Sequence, residues 1–271
     1  MQNKNIWKAI TIKIERAKFH FESLTKEISI YLDSKPYVVS FRRDPDTKQS
    51  IYYISDIIPL PENVSAIMGD IFHNLRSALD HIAYQLVLSE CPECEYLDQV
   101  YFPIADSLEK YPNLRDRRLK GANLDALNDV DGLKPYKGGN DFLWVLHKLN
   151  NIDKHRALIT AGSVLESVDI GSYIMDSMIG FMADPEMIEA FREKPKMSLP
   201  IRPAEQQFPL KVGGMIFGDV PNSEPNYKIE FKIDISFGEK EVMFGEPVVN
   251  TVANMINEIE HILGKFKKYC V

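Results

Sequence analysis

Asn74-Leu75-Arg76-Ser77-Ala78-Leu79-Asp80-His81 lies in the middle of a helical pattern that runs over residues 62–88. Val64, Ile67, Met68, Ile71, Leu75, Ala78, Leu79, Ile82 and Leu86 recur at three- and four-residue steps, so one side of this helix faces a core. The other side carries Asp70, His73, Asn74, Arg76, Ser77, Asp80, His81 and Tyr84. A face that only meets water is normally filled with Lys and Glu, which favour both helix and solubility. Between Asp70 and Tyr84 this face has neither. Short, hydrogen-bonding and titratable groups stand there instead, so the face is expected to be covered by another part of the protein or by a ligand. Two explanations are open at this point, a functional site and a buried polar network.

On either side of this helix the pattern is similarly clear. Residues 6–32 read as a helix with Trp7, Ile10, Ile14, Ala17, Phe21, Leu24 and Ile28 along its core stripe. Residues 37–42 and 50–55 are β-branched and aromatic runs around Asp44-Pro45-Asp46-Thr47, which predicts a hairpin. Pro59-Leu60-Pro61-Glu62 opens the central helix, with Pro61 suited to a first helical position. Beyond it, residues 101–140 are irregular, with short helical pieces around 106–119 and 123–129. The next helix, 141–156, can be capped by Asn140 or Asp141 and buries Phe142, Val145, Leu146, Leu149 and Ile152. Asp153 falls on that same stripe and needs a cation or several donors there, with Arg156 and Arg76 as candidate cations. Trp144, His147, Lys148, Asn151 and His155 form the remaining face.

From about residue 157 the periodicity changes to strands, read at 157–164, 167–175, 178–182, 208–217 and 227–237, with a short helix at 184–192. Residues 247–269 return to helix, with Val252, Met255, Ile259, Ile262 or Leu263, and Phe266 apolar. The expected fold is α+β: a bundle of about four longer helices, with an antiparallel sheet inserted between the third and the last. Residues 1–271 form one domain, with a helical core of 1–156 and 247–271 and a β-rich insertion of 157–246.

Composition narrows the function classes. An apolar share of 45% builds a core without staples, and a net charge of −7 argues against broad coating by nucleic acid while leaving room for a local basic groove. The three cysteines, Cys91, Cys94 and Cys270, supply no disulfide framework, which points to a reducing, cytoplasmic setting. Neither a signal peptide nor a membrane-spanning run is read. Cys91-Pro92-Glu93-Cys94 is a weak metal or redox signal without a second pair, and two ordinary thiols are the plainer reading. Arg115, Arg117, Arg118 and Lys120 make the densest basic cluster, either a solvated helix end or RNA-contact candidates.

Arg76 to His81 spells Arg-x-x-x-x-His, which resembles the signature of the HEPN superfamily, helical-bundle proteins that include many metal-independent ribonucleases. That resemblance implies that Arg76 and His81 act on RNA, often with two copies brought together in a homodimer. It further implies a place in a bacterial defence or toxin system, with an antitoxin or defence-system partner. The same stretch together with Leu149-Asn150-Asn151-Ile152-Asp153-Lys154-His155-Arg156 resembles a group of bacterial proteins of unassigned function and implies no activity.

The chemistry is coherent. RNA carries its own nucleophile, a histidine can move a proton near neutral pH, and an arginine can hold the phosphate as charge builds on it. No cofactor or metal is required. Arg76 and His81 would be catalytic, with Asn74, Asp80, Asp153 and His155 as a supporting shell. Yet five helical residues turn about 500°, so Arg76 and His81 leave the axis about 140° apart, and Arg76 shares a side with Asp80, its i+4 neighbour. A joint site therefore needs the arginine to bend round or a second subunit. Two alternatives stand beside it. One is a divalent site from His73, His81, His147 and His155 with Asp70, Asp80 and Asp153. The other is a non-catalytic interaction or ligand-binding protein whose Arg/His/Asp cluster is structural.

Overall fold

The computed structural model describes residues 3–155, 158–169, 198–200, 208–218 and 229–270. In chain order these form α1 (Asn3–Asp33), β1 (Tyr37–Arg43), β2 (Ser50–Ile57), α2 (Asn63–Leu88), α3 (Tyr111–Arg118), α4 (Leu124–Gly132), α5 (Asp141–His155), β3 (Ala161–Asp169), β4 (Ser198–Pro200), β5 (Met215–Gly218), β6 (Glu230–Glu239), β7 (Met243–Pro247) and α6 (Val248–Phe266). The fold is mixed α+β with antiparallel sheets.

Helix α2 is central and packs on α1, α5 and α6. Every apolar position read onto its core side is buried, and Phe72, Ala83 and Val87 are buried as well. Full burial of one Val, Leu, Ile or Met side chain is worth roughly 1.5–3 kcal/mol, and among the described elements this helix contributes the most such side chains. Pro61 sits just outside it, before the Glu62 N-cap. Helix α5 buries more of its circumference than the pattern indicated. Trp144, placed by periodicity on the polar side, is buried, whereas Phe142 is exposed. The indole is covered because Asp106 accepts from its Nε1 at 3.0 Å and Lys137 Nζ lies 4.6 Å from the ring centroid. Asn140 caps α5, its Oδ1 accepting from the Leu143 N–H at 3.1 Å.

The strands do not make one inserted sheet. The 37–57 hairpin pairs with β5 in a three-stranded sheet ordered β1-β2-β5, and a second, four-stranded sheet runs β4-β3-β6-β7. The two are joined by an aromatic cluster in which Tyr52 lies 5.8 Å from Phe217 and 5.6 Å from Phe231, ring centre to ring centre. One face of β6 serves both cores. Phe231 and Ile233 pack into this aromatic cluster, while Ile235 and Phe237 reach the helical core, with Phe237 against Phe72 at 6.3 Å. Strand β3 runs through Leu165 and Glu166, which the sequence pattern had split into two runs. The pairing with β6 shifts register between Leu165 and Ser167, and such an irregularity interrupts the alternation that marks a strand. The strand expected at 178–182, the helix at 184–192, residues 170–175 of the strand expected at 167–175, and Arg156 lie outside the described residues.

Two further details correct or sharpen the sequence reading. Cys91 and Cys94 are not separate thiols but a disulfide, because the Cys-Pro-Glu-Cys turn brings their Cα atoms to 5.5 Å. Among the described residues no helix is long and apolar enough to cross a membrane. Helix α4 is held by Asn123, whose Oδ1 accepts from the Ala126 N–H at 2.8 Å. Asn123→Ala is expected to cost about 1 kcal/mol in chemical denaturation. A change below a few tenths of a kcal/mol would show that this cap does not hold the helix.

Candidate functional site

The segment after α2 turns back along it, and α2 grips that segment by its backbone. Arg76 Nη2 donates to the Phe102 carbonyl oxygen at 2.7 Å. The Phe102 N–H donates to Asp80 Oδ1 at 2.9 Å. Arg76 Nη2 and Asp80 Oδ1 are themselves 3.0 Å apart. The i, i+4 spacing therefore places a donor and an acceptor one turn apart, and residue 102 satisfies both. Arg76 is only 6% exposed. Burial pulls its pKa down and pushes that of Asp80 up, and each charge opposes the shift of the other. Arg76 Nη1 is buried without a hydrogen-bond partner.

His81 stands outside this pair. It is half-buried, its pKa is lowered first by burial and then by Lys13, and Asp80 opposes the shift. No hydrogen bond holds its ring among the described residues. Arg76 and His81 are thus not brought together within one chain, as their angular separation on the helix required. Asn74 turns back on its own helix, its Nδ2 donating to the Asp70 carbonyl oxygen at 2.8 Å.

Asp153 does not reach Arg76. Its carboxylate lies against Gly69, where a Cβ would come within 2.7 Å of Oδ2. A residue with a side chain at position 69 would have to displace it. Burial raises the pKa of Asp153, Asp70 raises it further, and His73 and Lys154 lower it. His155 is exposed. Of the four expected shell residues, only Asp80 touches Arg76.

The basic cluster is mostly engaged elsewhere. Arg115 pairs with Asp131 and, at 2.7 Å, with Asp116. Arg118 donates to the Gln99 carbonyl oxygen at 2.9 Å and lies over the Tyr101 ring. Lys120 lies over the Tyr96 ring. Arg117 alone among the four has no ion pair, hydrogen bond or ring contact with the described residues. The histidines and carboxylates weighed as a metal site form no group of three or more that could hold a metal ion among the described residues.

A cavity of about 1170 Å³ opens between α5 and the β6–β7 turn. Asp106, Lys137, Trp144, Lys148, His155 and Glu241 are among its lining residues. Lys148 pairs with Asp106 at 2.7 Å, and this contact with the Trp144 N–H holds the Asp106 carboxyl below its usual range. Asp106 was not visible as a site residue in the sequence, since nothing local marks it and its partners lie on α5.

His147, one turn from Trp144, is the most displaced histidine. Burial pushes its pKa down to about 4, Arg76 and Lys148 push the same way, and Asp106 opposes them. Asn151 Nδ2 lies 3.1 Å from its Nε2. An amide nitrogen only donates, so Nε2 accepts and the proton of the neutral ring sits on Nδ1. That Nδ1 is buried with no acceptor. Comparisons with protein-family models, curated proteins and solved structures return no match for this chain.

Proposed function

We propose that this chain is a non-catalytic, ligand-binding protein in which the Arg76–Asp80 pair is a structural lock and the cleft over α5 takes a small charged molecule. The carrying observation is the burial of Arg76. A guanidinium that is 6% exposed, with Nη2 committed to the Phe102 carbonyl and to Asp80, has no route to a substrate. The bundle of the four longer helices then acts as scaffold. The cleft presents Lys137 and Lys148 against Trp144 on one side and Glu239 and Glu241 on the other, which suits a polar ligand with charges of both signs.

The test is a thermal-shift screen of zwitterionic and anionic metabolites against the full chain. A true ligand at about 100 times its Kd adds about 2.7 kcal/mol, and Lys148→Ala is expected to abolish that gain. Ligand-induced stabilisation that persists in Lys148→Ala, or its absence across the screen, counts against the cleft.

A second reading keeps the HEPN-like ribonuclease, cytoplasmic and part of a defence or toxin system. It is favoured by the position of His81, which is half-buried beside Lys13 and unheld by any hydrogen bond among the described residues. In this reading a second copy of the chain completes the site, and Arg76 positions the helix rather than the phosphate. Single-stranded RNA would be cut in EDTA and His81→Ala would lose the activity with its melting temperature intact. The structural reading expects no cleavage by either protein.

A further inference from the structure

A second pocket of about 470 Å³ lies where one face of α3 meets residues 104–106 and α5. Lys110, Asn113, Leu114 and Arg117 line it, spaced i, i+3, i+4 and i+7, so a single helical stripe faces the cavity. His147 of α5 and Asp106 complete the lining relevant here. The charge balance is positive. Asp106 is already neutralised by Lys148 at 2.7 Å and by the Trp144 N–H at 3.0 Å. The Arg117 side chain has no partner among the described residues, and the Lys110 ammonium makes no hydrogen bond among them. His147 adds a neutral ring whose Nδ1 proton has no acceptor.

We propose that this pocket binds the phosphate of a small phosphomonoester, with Arg117 and Lys110 meeting its charge. Two cations match a dianionic group better than a monoanionic diester. A cavity of 470 Å³ is sized for a small molecule. The two cavities share Asp106, but Lys110 and Arg117, which carry this inference, line only the smaller one.

Calorimetric titration of the full chain with inorganic phosphate, glycerol phosphate and a single-stranded oligonucleotide lacking terminal phosphates tests it. Saturable binding of phosphate and glycerol phosphate is expected, weakened about tenfold or more in Arg117→Ala and partly retained in Arg117→Lys. Arg117 is exposed and unpartnered, so its replacement leaves the fold in place. No saturable binding of phosphate or glycerol phosphate, or equal binding by Arg117→Ala, overturns the proposal. Arg117-dependent binding of the oligonucleotide alone overturns the phosphomonoester assignment in favour of a nucleic-acid contact.

Discussion

Asp80→Ala is expected to remove about 3–5 kcal/mol of folding stability at neutral pH, a fall in melting temperature on the order of 10 °C for a chain of this size. The substitution takes away the carboxylate that faces Arg76 Nη2 at 3.0 Å and accepts from the Phe102 N–H at 2.9 Å. Arg76 stays behind, buried and charged, with only the Phe102 carbonyl for company. A stranded charge in such a place costs more than the ion pair contributes, because its desolvation is no longer offset. The Asp80 side chain is 25% exposed, so some water reaches the gap and the loss sits toward the lower end of that range. Urea denaturation reads the effect directly. A loss below 1 kcal/mol would mean that α2 does not depend on this pair to hold residue 102.

His147 gives the second large effect, and its sign follows from where the proton binds. Its folded pKa is about 4, against an ordinary value of 6.5. Above pH 6.5 the ring is neutral folded and unfolded, so it imposes no penalty. As pH falls from 6.5 toward 4 the unfolded chain takes up a proton that the folded chain refuses, and stability drops. Below 4 both states are protonated and the loss levels off. The shift corresponds to about 3 kcal/mol. In His147→Gln that part of the acid destabilisation is expected to vanish, leaving a shallower stability profile between pH 6.5 and 4 than the parent shows. Parallel profiles for the two proteins would show that the ring is hydrated and free to titrate.

Much of this fold is legible in the sequence because helices write a long signal. Helices α1, α2, α5 and α6 each carry their apolar residues at 3.6-residue spacing over several turns, and their observed bounds fall within a few residues of the reading. Sheets write a shorter one. The hairpin of residues 37–57 is plain from its runs and turn, but its pairing with β5, more than 150 residues away, depends on tertiary packing around Tyr52 that no local pattern records. The site divides the same way. An Arg76–Asp80 pair follows from i, i+4 spacing, whereas the Phe102 backbone that completes it is a main-chain partner with no side-chain signature. Asp153 was expected opposite Arg76 because both lay on facing helices. In fact α5 crosses α2 so that Asp153 meets Gly69, nearly two turns earlier. The basic cluster of α3 was visible as a charge run. That Arg117 alone is left to face a pocket depended on where Asp131, Gln99 and Tyr96 come to rest.

The central claim is that Arg76 and Asp80 act on each other inside the protein and not on a substrate. A double-mutant cycle of folding stability over Arg76→Met, Asp80→Leu and the pair together tests it most directly. Each single replacement is expected to leave a buried group unmatched and to destabilise the chain strongly. The pair together is expected to cost less than the sum by 2 kcal/mol or more, roughly the coupling of a close buried pair. Additive losses, with the two residues energetically blind to each other, would contradict the claim and return Arg76 to the list of groups that await a substrate.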